Sequence, residues 1–147
     1  MLPWTRKQIA ARNLSANFLF LGRHPAEMMP RYFSLADVML VTLKNEMVFS
    51  FTIPAKVQSY FACAKPIIAS LSGEGARIIE ESGAGFSCSP ENPEALAQLV
   101  LKMYHMDACE RRIMGLSGRK YFENNFCREK LIEELDRILK DIKGVRT

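Results

Sequence analysis

The segment from Thr52 to Ser70 limits the architecture more than any other part of the chain: a helix fenced by two prolines runs straight into a short apolar strand. Pro54 suits the first helical position, where its missing N–H has no intrahelical partner in any case. Pro66 cannot extend the helix and biases Lys65 out of the α region, so the helix is expected over 54–64. Ile67-Ile68-Ala69 is apolar without alternation, the pattern of a strand covered on both faces, as in a parallel sheet. The loop-to-helix start at Pro54 also leaves backbone N–H groups unpaired and carries partial positive charge, which suits a phosphate-bearing ligand.

The remaining pattern repeats this alternation. Helices are expected over 5–14 (capped by Thr5), 27–35 and 73–82, and strands over 17–21 (stopped by Gly22), 37–43, 66–70 and 85–89. A long loop over 44–53 carries Glu46, Ser50 and Thr52. From Asn92 onward the chain reads as helical, over 93–106, 108–115, 117–125 and 128–142. Strands alternating with helices imply an α/β, doubly wound parallel sheet of about four strands, with a C-terminal helical tail over 92–142 laid outside it. The last helix combines an apolar stripe with a mixed-charge face, so a docked surface helix is the first expectation there.

The chain has 147 residues, one domain's worth, with 48% apolar and 24% charged residues, the balance of a soluble globular protein. A net charge of +4 is too mild to point to nucleic acid. No apolar run reaches the ~18 residues of a spanning helix, and residues 1–7 lack the apolar core of a signal peptide, so a cytoplasmic location is expected. Cys63, Cys88, Cys109 and Cys127 form no Cys-x-x-Cys pair and read as free thiols, with neither a zinc site nor a redox motif.

Four pieces carry a resemblance. Residues 54–67, with Pro54, Lys56, Val57, Tyr60, Phe61, Ala62, Ala64, Lys65, Pro66 and Ile67, match Pro-x-Lys-aliphatic-x-x-Tyr-Met/Phe-Ala-x-Gly/Ala-Lys-Pro-Ile/Val. Phe18-Leu19-Phe20-Leu21-Gly22, Ala36-Asp37-Val38-Met39-Leu40-Val41 and Pro90-Glu91-Asn92-Pro93-Glu94-Ala95-Leu96-Ala97 follow the same order as in that family. Together they resemble the donor-binding, C-terminal half of GT-B family four retaining glycosyltransferases, most of all the amino-deoxysugar transferases of O-antigen, capsule and colanic-acid pathways. The resemblance covers roughly residues 14–140 and implies a Rossmann-like sheet. Of that sheet this chain matches the third to sixth strands, with 1–14 as a remnant helix, which implies a partial domain whose first two strands and acceptor-binding N-terminal domain lie elsewhere.

The resemblance also implies a UDP-sugar donor, no cofactor and no metal. It places the donor diphosphate on the amides of Ala55 and Lys56 after Pro54, with the Lys56 side chain adding charge, and the nucleotide base near Arg23 and His24. The family's paired glutamates fall at Phe51 and Ser59, neither acidic; Ser59 retains a hydroxyl for a ribose, and Glu46 and Glu74 are the nearby carboxylates. No catalytic residue is assigned. The function so implied is a donor-binding half of a surface-polysaccharide glycosyltransferase, inactive alone and peripheral at the inner membrane in its complete form. The alternative is a noncatalytic nucleotide-sugar-binding or self-associating scaffold module. Partners beyond the donor are a missing N-terminal domain or a second copy, because a Phe18–Leu21 strand without its neighbours exposes unpaired backbone.

Overall fold

In the computed structural model, residues 2–144 are described, with three parallel strands, eight helices and two single 3₁₀ turns. In chain order the elements are α1 (Leu2–Ala11), α2 (Met29–Ser34), β1 (Met39–Thr42), α3 (Met47–Ser50), α4 (Ala55–Ala62), β2 (Ile67–Ser70), α5 (Glu74–Glu81), β3 (Gly85–Cys88), α6 (Pro93–His105), α7 (Ala108–Asn125) and α8 (Arg128–Gly144). The sheet runs β1-β2-β3, with Met39 beside Ile67 and Ile67 beside Gly85. Each crossover carries a helix, as parallel neighbours require. The fold is the expected Rossmann-like α/β sheet with a helical tail.

The expected strand over 17–21 does not form. Ser15–Asn17 is a 3₁₀ turn, and Phe18 to Leu21 continue as irregular chain. Apolar residues supply strand propensity, but a ladder needs a neighbour, and β1 pairs only with β2. Three strands are therefore present where about four were expected.

The core lies between one face of the sheet and the helices α4, α5 and α7. Val41, Ile67 and Ala69 of the sheet pack with Val57, Tyr60 and Phe61 of α4 and Ile78 and Ile79 of α5. Phe61 and Ile67 are wholly buried, each contributing about 2–3 kcal/mol of apolar burial. β2 is buried along all four residues, as its unalternating sequence requires.

Two glycines decide how α7 docks. A Cβ on Gly115 would stand 2.1 Å from the Ala64 carbonyl oxygen, and one on Gly118 would stand 2.8 Å from the Ala84 Cβ and 2.9 Å from a Phe61 ring carbon. The backbone of α7 thus rides directly on the end of α4. Residues 108–125 form one continuous helix, where the sequence pattern placed a break near residue 116. A capping box between Asp107 and Glu110 starts α7, and the Arg111 guanidinium donates to the Met103 and Met106 carbonyls that close α6.

Pro54 sits one position outside the helix it introduces, as an extended N-cap (φ −60°, ψ 131°), and α1 begins ahead of Thr5. The 44–53 loop contains the single-turn helix α3, seated against Gly73. Gly73 has φ +73°, and a Cβ there would fall 2.0 Å from the Ser50 carbonyl oxygen, so both its backbone angle and its surroundings demand glycine.

Candidate functional site

In a parallel α/β sheet the loops at the carboxyl ends of the strands form the crevice where ligands bind. Here the chain leaving β1 leads through α3 to α4, and the chain leaving β2 leads through Gly73 to α5. Both helices, eight residues each, point their N-termini at this edge, and they lie side by side: a Cβ on Gly75 of α5 would stand 3.1 Å from the Pro54 Cδ. No side chain caps α4, and the first N–H bonded back across the turn is that of Val57, which donates to the Pro54 carbonyl at 2.9 Å. The amides of Ala55 and Lys56 therefore present free donors in the positive field of the helix end. Lys56 is exposed in the first turn, where its charge opposes the helix dipole.

The other expected residues are placed as follows. Ser59 is exposed, and its hydroxyl donates to the Ala55 carbonyl at 3.1 Å, a bond within its own helix. Glu74 opens α5, but its carboxylate is engaged by Arg77, with Nη2 at 2.8 Å and Nε at 3.1 Å. Arg77 also pairs with Glu81. The hydrogen bond from Arg77, rather than its charge alone, holds the Glu74 carboxyl below the ordinary glutamate range. The partner of Arg77, open in the sequence, is thus its own helix.

His24, next to Arg23 in the chain, belongs to a separate cluster. The His24 Nε2–H donates to the Leu21 carbonyl at 2.7 Å, and the Tyr32 hydroxyl lies 3.0 Å from the same nitrogen, with ring centroids 4.6 Å apart. The ring is therefore oriented by α2. No hydrogen bond, ion pair or ring contact joins Arg23 or His24 to α4 or α5 among the described residues. Pro54, Ala55, Lys56 and Glu74 lie at two adjoining helix starts, with Ser59 one turn further along α4; Arg23 and His24 share no hydrogen bond or ring contact with them among the described residues.

At the ends of β1 and β2 and the start of α6 is an open cleft of about 330 Å³, lined by Thr42, Leu43, Lys44, Ser70, Asn92 and Leu96 among others, none of them from α4 or α5. Sequence reasoning did not select Lys44, Ser70 or Asn92. The available signal was position, since each ends or follows a strand or starts a helix at the carboxyl edge. Asn92 caps α6 through its side-chain oxygen, which accepts from the Ala95 N–H at 2.9 Å. No group of three or more metal-ligating side chains occurs among the described residues, and no described helix is long and apolar enough to cross a membrane.

This edge of paired helix starts on a parallel sheet coincides with a sequence match. Residues 3–106 fit the family model of glycosyl transferases group 1. The chain belongs to that family. A second comparison agrees: over 126 residues, 82% of the chain, this glycosyl transferase group 1 domain is 35% identical to the probable glycosyltransferase WbjE of Pseudomonas aeruginosa. Its fold matches sucrose-phosphate synthase from Thermosynechococcus elongatus, a GT-B structure, with a TM-score of 0.77 over 96% of the chain and 21% identity. The group 1 domain spans 30% of the length of WbjE and 34% of the sucrose-phosphate synthase chain.

Proposed function

We propose that this domain is the donor-binding half of a retaining glycosyltransferase that takes a UDP-sugar for bacterial surface-polysaccharide synthesis. The observation that carries the reading is the pairing of the α4 and α5 N-termini, with the Ala55 and Lys56 amides unpaired at the sheet's carboxyl edge. A diphosphate suits that edge: it accepts from both amides, meets the Lys56 ammonium as a point charge, and completes the helix field. The open cleft at Lys44 and Ser70 then provides room for the groups on either side of the diphosphate. In a complete enzyme such a site stabilises the departing diphosphate, while a facing domain positions the acceptor. Arg23 and His24 are proposed for the base on sequence resemblance alone.

One observation favours a second reading, a noncatalytic nucleotide-sugar-binding module. Phe51 and Ser59 stand where the family resemblance expects carboxylates, and the Ser59 hydroxyl is already turned to Ala55. Titration of the labelled chain with UDP and a UDP-sugar, followed by amide NMR, tests both readings. The expected result is binding on the order of millimolar, with shifts centred on Ala55, Lys56 and Gly73, abolished by Lys56→Glu. Shifts centred elsewhere, or binding that survives the substitution, overturn the donor assignment. Binding without turnover, even when a GT-B acceptor domain is supplied, selects the noncatalytic reading.

A further inference from the structure

The start of α5 carries two glycines, Gly73 and Gly75, and each is pressed by the chain that leads into α4. A Cβ on Gly73 would fall 2.0 Å from the Ser50 carbonyl oxygen and 2.5 Å from the Ser50 Cα, so backbone lies directly on backbone there. A Cβ on Gly75 would fall 3.1 Å from the Pro54 Cδ and 3.1 Å from a Leu71 methyl carbon. Gly75 is buried within the helix, and Gly73, at φ +73°, stands just ahead of it. The incoming chain thus rests on α5 at two points, Ser50 and Pro54, with Phe51, Thr52 and Ile53 between them.

Those two points matter because hydrogen bonds do not tie this chain to α5. Among the described residues, the hydrogen bonds of 44–53 close within the segment. The Glu46 N–H donates to the Lys44 carbonyl, the Phe49 N–H to Glu46, and the Ser50 hydroxyl to Met47. The Thr52 N–H and hydroxyl both donate to the Phe49 carbonyl. Met47, Val48 and Phe51 stand exposed, while Ile53 packs against the core. The seat of α3 on Gly73 and of Pro54 on Gly75 is therefore a matter of shape, available because neither glycine has a side chain.

We propose that Gly73 and Gly75 are positioning residues: they set where the free amides of Ala55 and Lys56 stand beside the start of α5, and so how those amides receive a diphosphate. The role of the ligand rests on the donor reading above; the role of the glycines rests on the two contacts. Ala55 and Lys56 follow Pro54 directly, so a displacement of Pro54 passes to them with no intervening turn. A side chain at position 73 meets rigid backbone and must lift α3 together with the residues that follow it. One at position 75 meets the ends of a proline ring and a leucine side chain, which yield by a few tenths of an ångström. Hydrogen bonds to a charged acceptor are short, about 2.7–2.9 Å, and displacing the donors weakens them before it unfolds the helix.

Amide NMR of the full 147-residue chain, free and titrated with UDP, tests this, with Gly83→Ala as the control. Gly83 is also left-handed, at φ +66°, but the nearest atom to an added Cβ is 3.9 Å away, so alanine there brings backbone strain without a collision. Gly73→Ala is expected to move the ligand-free signals of Ala55 and Lys56 and to weaken UDP at least about tenfold. Gly75→Ala should move the same signals less and weaken UDP about threefold. Gly83→Ala should lower the thermal midpoint yet leave the signals and the affinity at parent values. Parent-like signals and affinity in Gly73→Ala and Gly75→Ala overturn the proposal; if Gly73→Ala does not fold, Gly75→Ala decides it by the same two readouts. Equal weakening in Gly83→Ala overturns it as well, because general loss of stability would then be the cause. UDP shifts in the parent chain that centre away from Ala55 and Lys56 overturn the donor reading, and this proposal with it, before any variant is made.

Discussion

The Lys65 ammonium donates to the Ala36 carbonyl at 2.8 Å and, from the same nitrogen, to the Ser34 carbonyl at 2.9 Å. A half-buried lysine from the stop between α4 and β2 thereby closes the C-terminus of α2, thirty residues earlier, with a positive charge where the helix dipole favours one. It ties the approach to β1 to the start of β2.

Lys65→Met keeps the buried stem and removes both bonds. It is expected to lower stability by about 1.5–3 kcal/mol, the scale of a charge-assisted hydrogen bond to the backbone. Urea denaturation gives the size, and amide exchange locates it: protection should fall over α2 and the His24–Tyr32 cluster before the core. Uniform loss of protection would show that the bonds are not local to α2.

Gly115→Val is expected to cost more than Gly83→Ala, although Gly83 has φ +66° and Gly115 is ordinary helix. A side chain at Gly115 collides with the rigid Ala64 backbone, an overpacking cost of about 1–3 kcal/mol or more. At Gly83 the nearest atom to an added Cβ is 3.9 Å away, which leaves backbone strain of about 1–2 kcal/mol. Equal losses in denaturant midpoint would mean that α7 shifts easily along α4.

Glu74 is expected to titrate below the ordinary glutamate value of 4.5 because Arg77 hydrogen-bonds its charged form. A lowered native value stabilises the fold above the unfolded-state pKa, and that contribution disappears as pH falls through the native one. The pair is solvent-exposed, so its effect on stability is small, and carboxyl-carbon NMR is the direct measurement. Arg77→Met should return Glu74 to the ordinary range; an unchanged titration would exclude the hydrogen bond as the cause.

Tyr60 is buried against the Phe33 ring, and burial raises its phenol above the usual value of about 10. The neutral form is favoured in the folded chain, so this contribution is complete below the unfolded-state pKa and is lost as pH rises through the native one. Tyr60→Phe should remove a late step from the alkaline absorbance titration and soften alkaline destabilisation. A titration that keeps that step in the variant would assign it to another tyrosine.

The purified 147-residue chain is expected to transfer no sugar from a UDP-sugar to a lipid-linked acceptor, since the proposed reaction needs a facing acceptor domain. Turnover that follows the chain through purification and is lost in Lys56→Glu would reverse this expectation.

Local sequence determined most elements whose signal and partner lie close together in the chain, the single-turn α3 excepted. The prolines at 54 and 66, the unbroken apolar run at 67–69 and the Asn92-Pro93 start bounded α4, β2 and α6 to within a residue or two, because φ restriction, missing donors and capping act over a single turn. What only the tertiary structure decided depends on distant atoms. Residues 18–21 have strand composition, yet a strand exists only where a neighbour receives its hydrogen bonds, so composition could not settle it. A break was expected near residue 116, yet Gly115 and Gly118 form the close-packed seam of a continuous α7, because the sequence does not say which backbone will press against a missing side chain. Lys65 read as a helix stop. Its role came from two carbonyls that folding carried within 3 Å of it.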